Sequence, residues 1–333
     1  MMNRIIVTGG SGFIGTHLIA DLLGKKCVVI NLDICAPKEK SLNALWKSCN
    51  ILDDIKLKQI FEEFQPTHVV HLAARTTTDG KSLDDYPDNT TGTKNILDAI
   101  QETSGIQRVV ITSSQHVRKP GSGLPNSDTD YNSHGFYGKS KVLTEELTRK
   151  ANLPCEWVII RPTTIWGPYH FLLAQGLWNV LQKGLYVHPL NDPVLRSYGY
   201  VKNTVWQIEK ILSAPQELVH KKTFYIGDPV IKQIEWVNAF SIALRGQKAL
   251  QIPKQAIFIL ALIGDMLNKL GIKFPINSTR FFNLTTDNPV PLEPIHTLFG
   301  IPPFSLEEGI QETIEWLKAN NEQKLQESKN SPA

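Results

Sequence analysis

The sequence predicts an α/β fold, a doubly wound parallel sheet with a smaller, irregular C-terminal lobe. Three observations predict it. Residues 8–15 read TGGSGFIG, four glycines in eight positions directly after the apolar run Ile5-Ile6-Val7. Apolar runs of strand character then recur at 26–33, 67–73, 108–114 and 156–162, with helical patterns between them. After about residue 165 the alternation ends, and proline, glycine and aromatic residues become more frequent.

Taken in order, the first strand is RIIVTG (4–9). Glycine costs roughly 0.5–1 kcal/mol relative to alanine in a regular element, so the turn that follows needs a backbone free of side chains. The helix after it places Phe13, Ile14, Leu18, Ile19, Leu22 and Leu23 on one face. The second strand, KCVVINLD (26–33), is followed by helical patterns at 53–64, 89–103 and 137–151 that alternate with the remaining strands. Strands apolar on both faces and separated by helices describe a parallel sheet covered on two sides. A strand, a glycine turn and a helix at the start of such a sheet make it a Rossmann-type arrangement, in which bare amides at the helix N-terminus meet a pyrophosphate. The expected division is 1–165 for an NAD-binding domain, with strands or helices returning to it later, and 166–320 for a substrate-binding lobe. The polar end, 321–333, is expected to be a disordered tail.

Composition narrows the class. A chain of 333 residues, 41% hydrophobic and 20% charged, is an ordinary globular protein. Its net charge of +3 is too small to argue for nucleic acid. The cysteines Cys27, Cys35, Cys49 and Cys155 are scattered, which predicts reduced thiols of a cytoplasmic protein and no metal site. The chain enters a strand almost at once, which predicts no signal peptide. The stretch 256–272 is apolar but interrupted by Asp265, Asn268 and Lys269. That leaves it short of the ~18 residues of a membrane span, so it reads as a packed or interfacial helix with no stable membrane insertion.

Two constellations carry chemistry. Gly10, Gly12 and Gly15 fit G-x-G-x-x-G, and Gly9, Gly12 and Gly15 fit the equivalent longer spacing. Asp33, 18 residues beyond Gly15, ends the second strand where a carboxylate accepts from adenosine ribose hydroxyls. A carboxylate there repels a 2'-phosphate, so NAD is favoured over NADP. The second constellation is YGKSK, in which Tyr137 and Lys141 stack four residues apart on one helix face. That spacing alone also suits a solvated helix face. Beside the glycine turn it reads as a tyrosine whose pKa, about 10 when free, a neighbouring ammonium lowers. Ser113 and Ser114 close the strand 108–114 at the edge where an open parallel sheet binds ligands.

Together these segments resemble an extended short-chain dehydrogenase/reductase of the NAD-dependent nucleotide-sugar epimerase/dehydratase type. The likeness runs through TGGSGFIG, HLAA (71–74), NTTGTKNIL (89–97), VVITSS (109–114), YGKSK and RPTTIWGP (161–168). The resemblance implies that Gly9, Gly12, Phe13, Ile14 and Gly15 form the pyrophosphate turn and that Asp33 holds the ribose. It places Asn50 and Ile51 at the adenine, and Leu72, Ala73 and Ala74 beside the ribose. Pro162 and Ile165 come to the nicotinamide. Ser114, Tyr137 and Lys141 match its catalytic triad, with Tyr137 and Lys141 also touching the cofactor. Asn89 matches a structural asparagine. Ser114, Gln115, His116, Tyr137 and Arg196 are the implied substrate contacts, Arg196 toward a diphosphate with Arg280 as a second contact. A homodimer is implied through helices beginning near Leu83 and Tyr137, offering Ile96, Leu97, Ile100, Val142 and Leu143, some of which must face the sheet instead and which the sequence does not sort.

Departures refine this. Dehydratases of the group carry Asp-Glu after the catalytic serine or threonine, whereas Gln115 and His116 stand here. Arg118 replaces a usual tyrosine and Asn203 a usual aspartate, and the sequence offers no role for Arg118. The resemblance therefore implies a nucleotide-sugar epimerase, in surface polysaccharide precursor synthesis. The region from IPKQAIF to KFPINS is also similar to sterol-type dehydrogenases, so a dehydrogenase of a hydrophobic alcohol is the alternative. A non-catalytic NAD-binding protein is a third reading, which the intact Ser114, Tyr137 and Lys141 oppose.

Overall fold

A computed structural model of the chain describes residues 2–191, 193–272 and 274–330. The five strands expected from the apolar runs form as β1 (Arg4–Thr8), β2 (Val28–Asp33), β4 (His68–His71), β5 (Arg108–Thr112) and β6 (Glu156–Pro162). Two edge strands join them, β3 (Trp46–Ser48) beside β2 and Thr223–Ile226 beside β6. All pairings are parallel, in the order Thr223–Ile226, β6, β5, β4, β1, β2, β3. The chain winds outward from β1 to β3, crosses to β4 and winds outward the other way. The carboxyl ends of β1 and β4 thus flank a switch point, where the two connections diverge and leave a crevice.

Strand periodicity sorts the core. Ile5, Val7, Val70, Val110, Val158 and Ile160 pack on one face with Leu18, Ile19 and Leu22 of helix α1 (Phe13–Gly24) and with helix Val201–Ser213. Ile6, Val69, Val109, Ile111, Trp157 and Ile159 pack on the other, against α2 (Asp54–Phe64) and α3 (Thr91–Glu102). Successive side chains point to opposite faces, so each strand feeds both layers. Leu23, expected on the inner face of α1, is 38% exposed because it lies beyond the buried stripe of Leu18, Ile19 and Leu22.

Three other expectations change. The segment near Leu83 forms only short helical turns, Leu83–Asp85 and Pro87–Asn89, and the long helix begins at Thr91. Ile96, Leu97 and Ile100 are at most 3% exposed and lie in the core, so they offer nothing to a partner chain. Helix Leu306–Asn330 continues through residues 321–330, where polar composition predicted disorder; propagating a helix from a packed segment avoids the cost of a new nucleus. Residues 331–333 lie outside the described residues.

After β7 (Thr164–Trp166), which pairs with Tyr198–Tyr200, an aromatic core of Trp166, Trp178, Tyr198, Tyr200, Trp236 and Phe240 takes over. Helix Val201–Ser213 and strand Thr223–Ile226 then return to the large sheet.

The helix that carries Tyr137 and Lys141, α4 (Gly135–Lys150), is clamped to β6 by a buried ion pair. Arg161 Nε and Nη2 donate to the two Glu145 carboxylate oxygens at 2.7 Å each. The same carboxylate accepts from Ser113 Oγ (2.6 Å) and Tyr131 Oη (2.9 Å). Glu145→Ala leaves a buried guanidinium without its anion, and such losses cost about 3–5 kcal/mol. Urea unfolding of the variant is expected to show a loss on that scale, and Glu145→Leu combined with Arg161→Met is expected to recover part of it.

Candidate active site

A cleft of about 680 Å³ opens at the switch point. The glycine turn forms its floor. Gly12 N–H donates to the Gly9 carbonyl (3.0 Å), folding the chain back on itself. Gly9 has φ +70°, and a Cβ there would stand 2.6 Å from the Ala73 nitrogen; a Cβ on Gly15 would collide with the Gly9 carbonyl oxygen. Helix α1 has neither a side-chain N-cap nor a first-turn carboxylate, so its positive end stays open to an anion. A pyrophosphate fits this cradle.

Asp33 stands at the end of β2, its carboxylate accepting from Ser11 N–H (3.1 Å) and Cys35 N–H (2.9 Å). A carboxylate offers about four lone-pair sites, so those two bonds leave capacity for ribose hydroxyls. Asn50 and Ile51 line the far end of the cleft, and Leu72, Ala73 and Ala74 line the wall beyond β4. Leu72 N–H donates to the Thr8 carbonyl (3.0 Å), holding that wall to β1. Phe13, Ile14, Pro162 and Ile165 complete the apolar lining.

Ser114, Tyr137 and Lys141 meet in the same cleft. Ser114 Oγ accepts from His116 N–H (3.2 Å), and Lys141 Nζ donates to the Thr112 carbonyl (2.8 Å). Burial lowers the Lys141 pKa to about 8, with Glu145 opposing. Burial also raises Tyr137; its hydrogen bond with Ser114 works the other way, and the nearby Tyr86 adds to the rise. The expected depression of Tyr137 by Lys141 is therefore not what this structure shows. Desolvation of the phenolate outweighs it while the ammonium is engaged by Thr112.

Gln115 and His116 also line the cleft. Gln115 Nε2 donates to Thr164 Oγ1 (2.9 Å), while its Oε1 is buried without a partner. The His116 ring meets Tyr137 edge-on, centroids 5.5 Å apart. It is crowded by protein yet open to water along the cleft, and desolvation followed by His134 lowers its pKa. Arg118, whose role is not legible from its neighbours in the chain, binds the Asp130 carboxylate (2.8 Å) and the Asp130 and Ser122 carbonyls, fastening the loop that leads to α4. Asn89 bonds the Arg75 backbone and Ser140 Oγ (2.8 Å), a structural link from the cleft wall to α4.

Arg196 is not among the cleft-lining residues. Its strand, Leu195–Arg196, pairs with Ile231–Lys232, and its Nη2 donates to the Asn283 carbonyl. Its Nε is buried without a hydrogen-bond partner, and burial lowers its pKa. What sequence reading missed is the lip, Tyr169, His170, Phe171 and Leu172, directly after the Gly167-Pro168 turn. Lys38 Nζ stands 3.3 Å from the Phe171 ring centroid, joining the lip to the loop after β2. The aromatic run after Pro168 was the available signal.

The sequence model of the NAD dependent epimerase/dehydratase family matches residues 5–227. Among relatives, the N-acetyl-alpha-D-glucosaminyl-diphospho-ditrans,octacis-undecaprenol 4-epimerase of Escherichia coli O157:H7 is 25% identical, over 95% of this chain and 96% of its own. The mouse 3 beta-hydroxysteroid dehydrogenase type 7 is 27% identical, over 94% and 95%. Among solved structures, the Thermus thermophilus UDP-glucose 4-epimerase complex with NAD matches with a TM-score of 0.69 at 22% identity, covering 95% of this chain and 99% of that one.

The crowding at Gly15 makes a direct prediction. Gly15→Ala is expected to weaken NAD binding by about tenfold or more in calorimetry, because the turn must open to admit a methyl group. Unchanged affinity would remove the glycine turn from the pyrophosphate site.

Proposed function

Because the chain belongs to the NAD-dependent epimerase/dehydratase family, we propose that it is a nucleotide-sugar epimerase serving surface polysaccharide precursor synthesis. The observation that carries this reading is the meeting of Ser114, Tyr137 and Lys141 with the glycine cradle in one cleft. In this reading residues 1–165 mainly hold the cofactor and 166–320 mainly the sugar. The cradle of Gly9, Gly12 and Gly15, Asp33 beyond it, and Pro162 and Ile165 at the inner end would hold NAD. Bound there, NAD would supply a reversible hydride acceptor for a sugar carbon.

The chain's own residues handle the proton. Ser114 Oγ holds the reacting sugar oxygen, and Tyr137 Oη takes the hydroxyl proton and later gives it back. Lys141, protonated below its pKa of about 8, supplies the positive charge that opposes the desolvation cost of the phenolate. Gln115, held by its Nε2 bond to Thr164, and His116, whose pKa burial lowers, line the same pocket. Neither side chain reproduces the Asp-Glu pair of a dehydratase. The substrate diphosphate needs a forked cationic donor, the role proposed for Arg196, whose side chain must turn from the Asn283 carbonyl toward the cleft to reach it. The protein acts as a homodimer with α4 at the interface, where Val142 and Leu143 are half-buried and open to a partner.

The second reading, a dehydrogenase of a hydrophobic alcohol, draws on the steroid dehydrogenase relative. Both readings need Tyr137, and NADH accumulation and diphosphate-sugar binding separate them. Tyr137→Phe is expected to lower turnover about 100-fold or more while leaving NAD binding intact, the scale of a lost general base. Product must also form without lasting NADH absorbance; stoichiometric NADH selects the dehydrogenase. Arg196→Ala is expected to weaken calorimetric binding of a uridine diphosphate sugar by about 1.5–3 kcal/mol, leaving NAD affinity unchanged. Absence of diphosphate-sugar binding by the unmodified protein would overturn the first reading.

A further inference from the structure

Helix Lys254–Lys269 carries two apolar stripes, only one of which is buried. Ile257, Ala261 and Gly264 face inward at spacings of four and three residues. On the opposite side Phe258, Ile259, Leu262, Ile263 and Met266 are 41–59% exposed, again at helical spacing. The exposed apolar surface continues past the helix end at Leu270 and Ile272 and onto Phe282 of helix Ser278–Thr285. A run of this kind exceeds the scattered apolar side chains of an ordinary surface.

The patch is held in shape. Asp265 accepts from both the N–H and the hydroxyl of Ser278, fastening the two helices together, and the Phe258 and Phe281 rings meet with centroids 5.3 Å apart. Its charge is one-sided. Residues 245–282 contain Arg245, Lys248, Lys254, Lys269, Lys273 and Arg280, and Asp265 as the single carboxylate. The segment is thus +5 by count in a chain whose net charge is +3. Lys248, Lys254, Lys269 and Arg280 are exposed.

We propose that helix Lys254–Lys269, with helix Ser278–Thr285 fastened to it, docks the protein on the surface of an anionic lipid bilayer. An apolar helical stripe with basic residues around it matches the two components of such a surface, acyl boundary and anionic headgroups. A second copy suits it less, because a self-complementary interface would bring like charges together. Among the described residues no helix is long and apolar enough to cross a membrane, and the proposed contact is surface docking by this helix pair. The inference goes beyond the proposed reaction and does not require it.

The full chain is tested by co-sedimentation with vesicles of phosphatidylcholine alone or mixed with phosphatidylglycerol. It is expected to bind the mixed vesicles about tenfold or more tightly, and to release as salt is raised. Ile259→Glu with Met266→Glu, both at exposed positions, is expected to abolish sedimentation with the circular dichroism spectrum unchanged. Lys248→Glu with Lys269→Glu, both at exposed positions, is expected to remove the preference for anionic vesicles and serves if the first pair fails to fold. Absence of binding to the mixed vesicles, or unaltered binding by both variants, overturns the proposal. Self-association that the first pair dissolves, without any vesicle binding, assigns the patch to a second copy and overturns it equally.

Discussion

The Glu145–Arg161 ion pair is the constraint on which the site depends. Neither side chain is more than 1% exposed, and the paired groups reach three further parts of the chain. Arg161 also donates to the Asp128 carbonyl and to Tyr225 Oη, and Glu145 accepts from Ser113 and Tyr131. Helix α4, strand β6, the edge strand Thr223–Ile226, the end of β5 and the loop before α4 therefore share one buried charge centre. A buried pair pays a large desolvation cost, and it persists here because nearly every lone pair and N–H is used. The practical consequence is positional. Tyr137 and Lys141 sit two turns and one turn before Glu145 on α4, while Ser113 precedes Ser114 at the end of β5.

A similar economy governs the cleft. Tyr137 and Lys141 are both buried, and burial moves each pKa toward its neutral form. Lys141 is nevertheless charged at neutral pH, being lowered only to about 8. The nearby buried His71 is lowered to about 3, so it stays neutral and bridges Thr8 and Thr93 as a hydrogen-bonding strut. The interior beneath the site thus holds one titratable cation, close to where a phenolate would form.

The second lobe solves a different problem. It is largely helical, and among the described residues its three two-stranded sheets give it little ladder hydrogen bonding. Aromatic packing supplies the order instead: Tyr198 stacks on Trp236 with centroids 4.4 Å apart, and Trp166 lies against Tyr200, Trp236 and Phe240. The lip at Tyr169–Leu172 grows from this core, with Tyr169 and Phe171 both against Trp316. A lobe built on shape more than on ladders leaves short helices and loops free to line the cleft, and leaves one helix with an apolar face outward.

Much of this was legible in the sequence. The five central strands, the glycine turn and the pairing of Tyr137 with Lys141 follow from periodicity, backbone sterics and helical spacing, all of which are local. The two edge strands were not legible, because Trp46–Ser48 and Thr223–Ile226 are short and gain strand character only from the neighbour they join. Nor could the sequence orient α3. Ile96, Leu97 and Ile100 suit a partner chain or the sheet equally well as a pattern, and the fold buried them. Nothing local marks Arg161 as half of an ion pair, because its partner lies 16 residues away on another element. The direction of the Tyr137 pKa was likewise tertiary: the four-residue spacing brings an ammonium near, while the depth of the cleft and the Thr112 carbonyl decide which effect wins. Local chemistry is written in the chain; burial, which sets what that chemistry costs, exists only once the chain has folded.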